Sequence, residues 1–476
     1  MAEREERPNI VWIMADDMGF GDPGCYNPDS KIPTPNMDRV AAEGMRFTDA
    51  HSASAVCTPS RYGVITGRYC WRTRLKSGVL GGYGPPLIET DRPTVASLLK
   101  RHDYATAAIG KWHLGLGWTD RDGNRGPWSD WNDEEVEHGF ALDYTRPIWG
   151  GPNELGFDRF FGIAGSLDMP PYCFIQDDHT VGIPDHEKET YYAQQRRGPA
   201  VEGWDDRRVD VRFAETAVEW LEERAGADRP FFLYLTTSAP HRPCVGPEFI
   251  RGASDAGDRG DMVALFDWVV GRVTDTLDRL GVADDTLLVV TSDNGAREGD
   301  VDGSHYGHKS CGDWRGFKGD AWDGGHREPF IARWPGRIPA GAACDRTVCL
   351  GDFVATCADL LGAELPEGAA PDSVSILALL LGRSDGPVRE AVVHHSLSGH
   401  FCLRRGKWKA IFGLGSGGFS EPRGARPGPD DPPGQLYDME SDPAETTNVW
   451  LEHPDVVEEL TAILERYRES GRSVPR

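Results

Sequence analysis

An α/β fold, a large mixed and mostly parallel sheet flanked by helices with a smaller C-terminal α+β subdomain, is predicted by three observations. Short apolar or β-branched runs of strand length recur at Ile10 to Met14, Ala105 to Ile109, Phe231 to Thr236, Leu287 to Thr291 and Phe330 to Ala332. They alternate with helix-like segments, Arg92 to Lys100, Val209 to Arg224 and Met262 to Leu280, and such alternation favours parallel strands covered by helices. From Arg389 the pattern changes: Phe401 to Phe412, a Gly/Pro-rich stretch over Gly413 to Gly434, Gln435-Leu-Tyr-Asp-Met439, and a closing helix from about Val456 to Tyr467. The expected division is a large unit over 1–388 and a subdomain over 389–476.

The first strand carries more than fold information. Four of the five runs are followed closely by polar residues: Asp16 and Asp17 after the first, Lys111 and His113 after the second, His241 after the third, Asp293 and Asn294 after the fourth. In open α/β sheets ligands bind just beyond the carboxyl ends of the strands, so these four segments are expected to meet at one mouth. Between Trp118 and Trp204 the chain is rich in Gly, Pro, Asp, Trp and Tyr with weak periodicity, and reads as extended loops.

The 476 residues are too many for one minimal domain, and no apolar stretch approaches the roughly 20 residues that cross a bilayer, so no membrane span is expected. A net charge of -25 repels polyanions at long range, which excludes nucleic acid as a partner. A small anionic substrate is still allowed, because screening makes nearby charges outweigh the global sum. The 10 cysteines are scattered without C-x-x-C spacing, which points to neither a disulfide scaffold nor a structural zinc site. The charged N-terminus lacks the apolar segment and cleavage site of a signal peptide, so a cytoplasmic location is expected; a removed leader would make it periplasmic or secreted.

Cys57-Thr-Pro-Ser-Arg61 is the most informative pentapeptide. Pro59 suits the first turn of a helix that begins just after Cys57, which puts position 57 at a helix N-terminus where an anion is favoured. Arg61, four residues on, shares its helical face. Taken alone, C-x-P-x-R is read equally well as a buried Cys with a surface Arg.

In order along the chain stand Pro33-Thr-Pro-Asn-Met-Asp38, Gly44-Met-Arg-Phe47, Cys57-Thr-Pro-Ser-Arg61 with Thr66-Gly-Arg68, and Gly110-Lys-Trp-His-Leu-Gly115. Pro240-His241, Ser292-Asp-Asn-Gly295, Gly316-Phe-Lys-Gly319 with Gly324-Gly325, and Leu436-Tyr-Asp-Met439 follow. This series closely resembles the type I (formylglycine) sulfatases over nearly the whole chain. The departures are small: Val56 where that family commonly has Leu, and Asp323 where Glu is usual.

The resemblance implies that Cys57 is oxidised to formylglycine by a formylglycine-generating enzyme. It also implies that one divalent cation, Ca²⁺ or Mg²⁺, is held by Asp16, Asp17, Asp293, Asn294 and an oxygen of modified residue 57. The residues alone agree in kind, since two oxygen-rich pairs after buried strands suit a hard cation. By resemblance again, Lys111, His113, His241 and Lys318 contact the sulfate or the formylglycine, with His113 as base and His241, aided by Lys318, protonating the departing oxygen; Arg61, with the metal, Lys111 and Lys318, can neutralise the nonbridging sulfate oxygens. A hydrated aldehyde offers one hydroxyl to attack sulfur and a second whose collapse expels sulfate, a release that Ser or Cys would leave to a separate water.

A small sulfated sugar or oligosaccharide is the expected substrate, with His305, His308 and Lys309 as a rim tethered to the metal ligands. Trp128, Trp131, Trp149, Tyr172, Tyr191 and Tyr192 could stack on a sugar or pack the loops. Two alternatives stand beside this reading: a phosphonate or phosphate ester hydrolase on the same fold, and an anion- or glycan-binding protein with an unmodified Cys57. No further His/Asp cluster of the kind a two-zinc phosphatase needs is apparent.

Overall fold

The computed structural model describes residues 7–126, 130, 135–192, 194–224, 226–297 and 306–475. Its centre is a ten-stranded sheet. The strands are β1 (Asn9–Asp16), β2 (Met45–Phe47), β3 (Ala105–Lys111), β4 (Arg159–Ile163), β5 (Ile175–Gln176), β6 (His179–Thr180), β7 (Phe231–Pro240), β8 (Thr286–Ser292), β9 (Phe330–Arg333) and β10 (Ala342–Cys344). Their order is β10-β2-β9-β8-β1-β7-β3-β4-β5-β6. The five neighbours β8-β1-β7-β3-β4 are parallel, whereas β9 runs antiparallel to both β8 and β2.

β1 is apolar at successive positions because both of its faces are covered. Ile10, Trp12 and Met14 face one core with α2 (Cys57–Thr66), α3 (Val95–Arg101) and α6 (Phe353–Leu360). Val11, Ile13 and Ala15 face the other with α1 (Pro35–Glu43), α4 (Val209–Arg224) and α5 (Gly257–Arg279). The five runs expected as strands are all strands, and the helical segments expected at 92–100, 209–224 and 262–280 appear as α3, α4 and α5. The stretch from Trp118 to Trp204, expected as loops, also contributes β4, which pairs with β3 beside the site.

The C-terminal part forms a separate antiparallel sheet of β11 (Val392–His395), β12 (Phe401–Arg405), β13 (Trp408–Ile411) and β14 (Gln435–Asp438), paired in that order. Helix α7 (Pro454–Glu469) covers it through Leu460, Ile463 and Leu464 against Leu403, Ala410 and Leu436. Lys409 of β13, fully buried, ties this sheet to the turn before β9 by an ion pair of 2.7 Å to Asp323, and pairs at 2.7 Å with Glu445 of the C-terminal part. All ten cysteines are free thiols. Among the described residues no helix is long and apolar enough to cross a membrane.

Candidate active site

The carboxyl ends of β1, β3, β7 and β8 meet the first turn of α2, as the positions of their polar residues predict. β1 ends in Asp16, and Asp17 follows with φ 72°, a left-handed conformation that a non-glycine residue holds only against a local cost. That turn sends both carboxylates inward. Asp16 accepts from Lys111 Nζ at 2.5 Å and from the Cys57 thiol at 3.2 Å, and lies 3.6 Å from Arg61. Asp17 is 2.6 Å from Lys318 Nζ and accepts from Asn294 Nδ2 at 2.7 Å. Asp293 accepts from Arg61 Nε at 2.8 Å and from the Asp17 backbone N–H at 3.2 Å.

Cys57 is the first residue of α2, with the extended Val56 before it, and Lys318 Nζ lies 3.4 Å from its sulfur. All ten residues of α2 are buried; the helix ends at Gly67, whose φ of 62° needs no Cβ. Ligand atoms of Asp16, Asp17, Cys57 and Asp293 lie within 4.8 Å of one another. Asn294 Oδ1, buried beside them, has no hydrogen-bond partner among the described residues. An orphaned carbonyl oxygen converging with three carboxylates fits a hard, oxygen-preferring divalent cation. The carboxylates of Asp16, Asp17 and Asp293 balance the cations of Arg61, Lys111 and Lys318, so a divalent ion would leave the pocket positive and suited to an anionic ester.

The pKa directions divide the three carboxylates, lowering Asp16 and Asp17 and raising Asp293. Burial acts to raise Asp16, but Lys111 beside it holds it well below the usual carboxylate range. Burial lifts Asp293 against the pull of Arg61, and the carboxylate of Asp16 adds to the lift. Burial, then the carboxylate of Asp16, keeps the Cys57 thiol protonated, so the unmodified residue is a poor nucleophile.

The two histidines are held differently. His113, at φ 56°, has Nε2 2.8 Å from the carbonyl of Leu80, so that nitrogen carries the proton and Nδ1 is a buried lone pair without a partner. Burial and Lys111 keep the ring neutral. His241 sits at the mouth, with Nδ1 2.8 Å from the carbonyl of Arg242 and Nε2 3.7 Å from Asp17. Nδ1 is within hydrogen-bond distance of its carbonyl, while Nε2 is left facing the carboxylate of Asp17.

Against this geometry, the family model described as Sulfatase matches residues 8–363. The chain belongs to the sulfatase family. This sulfatase is 33% identical to the N-acetylgalactosamine-6-O-sulfatase of Bacteroides thetaiotaomicron, over 97% of this chain and 93% of that protein. It is 32% identical to human arylsulfatase A, over 93% and 83% of the two chains. A solved Bacteroides thetaiotaomicron structure, described under the metabolism of multiple glycosaminoglycans, matches with a TM-score of 0.81 at 32% identity, covering 97% of this chain and 99% of that one. The protein is therefore a sulfuric ester hydrolase. Its family implies, in general, a metal ion and a formylglycine.

The sulfatase site also rests on residues that the sequence reading did not single out. Arg259 of α5 donates to the carbonyl of Asp17 at 2.8 Å while its guanidinium is paired with Asp22. Asp168 lies 3.9 Å from His241 Nδ1, opposite Asp17. Of the expected rim, His305 lies outside the described residues. His308 is buried, with Nε2 2.9 Å from Asp22, and Lys309 is exposed and paired with Asp313 at 2.7 Å. Among the aromatics, Trp128 and Trp131 lie outside the described residues, Tyr172 is buried and Tyr191 is exposed. A further group, His51, His326 and His394, was not apparent in the sequence. The rings of His326 and His394 stack at 4.0 Å and 12°, so their in-plane lone pairs do not meet on one ion.

Proposed function

We propose that this sulfatase cleaves the sulfate ester of a sulfated sugar or small oligosaccharide, of the N-acetylgalactosamine 6-sulfate kind, with residue 57 acting as formylglycine. Maturation by a formylglycine-generating enzyme belongs to the same reading. The observation that carries it is the cradle around Cys57: a helix N-terminus, three carboxylates, the orphaned Asn294 oxygen and three cations within one buried pocket. The sugar is supported by the name of the relative that is 33% identical over almost the full length.

Asp16, Asp17, Asp293 and Asn294 would hold Ca²⁺ or Mg²⁺, which supplies Lewis acidity to an oxygen on residue 57 when bound. Conversion of Cys57 to the hydrated aldehyde supplies the attacking hydroxyl and the second hydroxyl needed for release. Arg61, Lys111 and Lys318 neutralise the nonbridging sulfate oxygens, helped by the free N–H groups at the start of α2. His113 Nδ1, neutral and unpartnered, takes the proton from residue 57 in the release step. His241 Nε2, at the open side of the pocket, gives a proton to the departing sugar oxygen, and Lys318 stabilises that oxygen. Lys309, exposed, and His305 are the rim positions carried into this reading.

Leaving-group dependence tests the roles. His113→Ala is expected to trap sulfo-enzyme after one turnover, visible as a mass increase on the peptide carrying residue 57. His241→Ala is expected to slow a sugar sulfate by roughly 10²–10⁴, the usual contribution of a general acid, while a sulfate ester of an acidic phenol is slowed far less. Equal slowing of both substrates would remove the acid role from His241.

A further inference from the structure

Away from that site, a cavity of about 630 Å³ opens where the segment after α2 meets the C-terminal subdomain, lined by Arg68, Trp71, Lys76, Ser77, Phe401 and Arg468 among others. Among the described residues no carboxylate lines it, although the chain carries 76 acidic against 51 basic residues. Among the described residues, three of its four cations, Arg68, Lys76 and Arg468, make no ion pair. Arg68 donates to the Tyr62 hydroxyl and the Arg72 carbonyl, Lys76 donates to the Trp71 carbonyl, and Arg468 lies over the Phe401 ring. The fourth lining cation, Arg72, is paired with Asp372. The Trp71 indole N–H, buried in the same wall, finds no acceptor. The aromatic walls of Trp71 and Phe401 hold Arg72 and Arg468 by cation–π contact, which leaves the N–H groups of Arg468 for an anion.

The cavity is joined to the catalytic pocket by two short segments. Lys76 and Ser77 lead within three residues to Leu80, whose carbonyl holds His113. Ser398, on the opposite wall, follows Leu397, whose N–H bonds the carbonyl of Gly319, the residue after Lys318. The carbonyl of Leu397 in turn accepts from the Gly78 N–H at 2.8 Å, which closes the two walls on each other.

We propose that this cavity is a second binding site, taking the sulfate or carboxylate groups of an acidic oligosaccharide whose scissile ester lies at residue 57. The identity of the saccharide rests on the function proposed above; the preference for an anion rests on the cavity itself.

Titration calorimetry with a hexasaccharide of alternating uronate and sulfated N-acetylgalactosamine tests the proposal. K76Q/R468Q removes two exposed cations outside the catalytic pocket, and is expected to weaken binding about tenfold, or about 1.4 kcal/mol. S77E, which brings a carboxylate to the same wall, is expected to weaken it as well. Hydrolysis of a small aryl sulfate should be unchanged in both. Unaltered hexasaccharide affinity in K76Q/R468Q and S77E would overturn the proposal, as would equal weakening in R212Q/R279Q, a charge-matched pair on α4 and α5. Loss of hexasaccharide binding in K76Q/R468Q, with a wild type that cleaves no sulfate ester, would refute the catalytic reading and leave this site standing.

Discussion

Asp17 is held from behind as firmly as from within the pocket. The Arg259 guanidinium grips Asp22 through two hydrogen bonds and the Asp17 carbonyl through another, and His308 closes on the same Asp22. Burial acts to raise the Asp22 carboxyl, but Arg259 and His308 hold it down at about 2. A depressed carboxylate stabilises the fold fully above its unfolded pKa of 3.8, and this stability is lost as pH falls toward about 2. Asp22→Asn leaves a buried guanidinium short of its partner and is expected to cost roughly 3–5 kcal/mol at pH 7. In urea unfolding, the gap between wild type and D22N should narrow by about 1 kcal/mol at pH 3, where only the unfolded wild type has taken up the proton. A gap that widens on acidification would contradict the assigned direction. Asp16, Asp17, Asp293 and Asn294 were legible because each directly follows an apolar run. Arg259 was not, because it stands just ahead of the periodic segment from Met262 and looks like an ordinary solvated charge. Asp168 was hidden among the Gly- and Pro-rich loops.

β3 delivers Lys111 and His113 through a glycine. Gly110 has φ 115°, and a Cβ there would lie 1.8 Å from the carbonyl oxygen of Thr236 on β7. Gly110→Ala therefore forces β3 and β7 apart one residue before Lys111, at an expected cost of roughly 2–5 kcal/mol. Thermal unfolding together with activity checks it: the melting temperature should fall, and the surviving folded fraction should be impaired because Lys111 has shifted against Asp16. A G110A enzyme of native stability would show that this close approach is not tight. The central strands were legible because residues buried on both faces make uninterrupted apolar runs. β4 was not, since Arg159-Phe-Phe-Gly-Ile163 is short, contains a glycine and lies in an aromatic, turn-rich stretch. The antiparallel direction of β9 was equally hidden, because Phe330-Ile-Ala332 reads the same either way. The start of α2 was legible from Pro59 to within a residue, since the helix begins at Cys57 itself.

Across the whole molecule, the C-terminal sheet is fastened to the turn before β9 by charge. Lys409 lies between Asp323 and Glu445, all three buried, and Arg327 ties Asp323 to Asp49. Lys409→Met would leave two carboxylates facing each other without their shared cation, and is expected to destabilise the protein by roughly 3–5 kcal/mol. Guanidinium unfolding should show the loss, and proteolysis within 413–434 should accelerate as the small sheet loosens. Unchanged proteolysis would locate the fastening elsewhere. The small antiparallel sheet was foreshadowed in the sequence by a change of pattern, but its fastening was not, because Asp323, Lys409 and Glu445 are far apart and each reads as a surface charge.

Around position 57, burial and the carboxylate of Asp16 hold the unmodified thiol in its neutral form, a poor nucleophile, and the proposed mechanism puts an aldehyde in its place. Mass analysis of the peptide carrying residue 57, from active protein purified out of its natural host, tests this directly. An aldehyde in place of the thiol is the predicted result. An intact thiol in protein that hydrolyses a sulfate ester at full rate would contradict it.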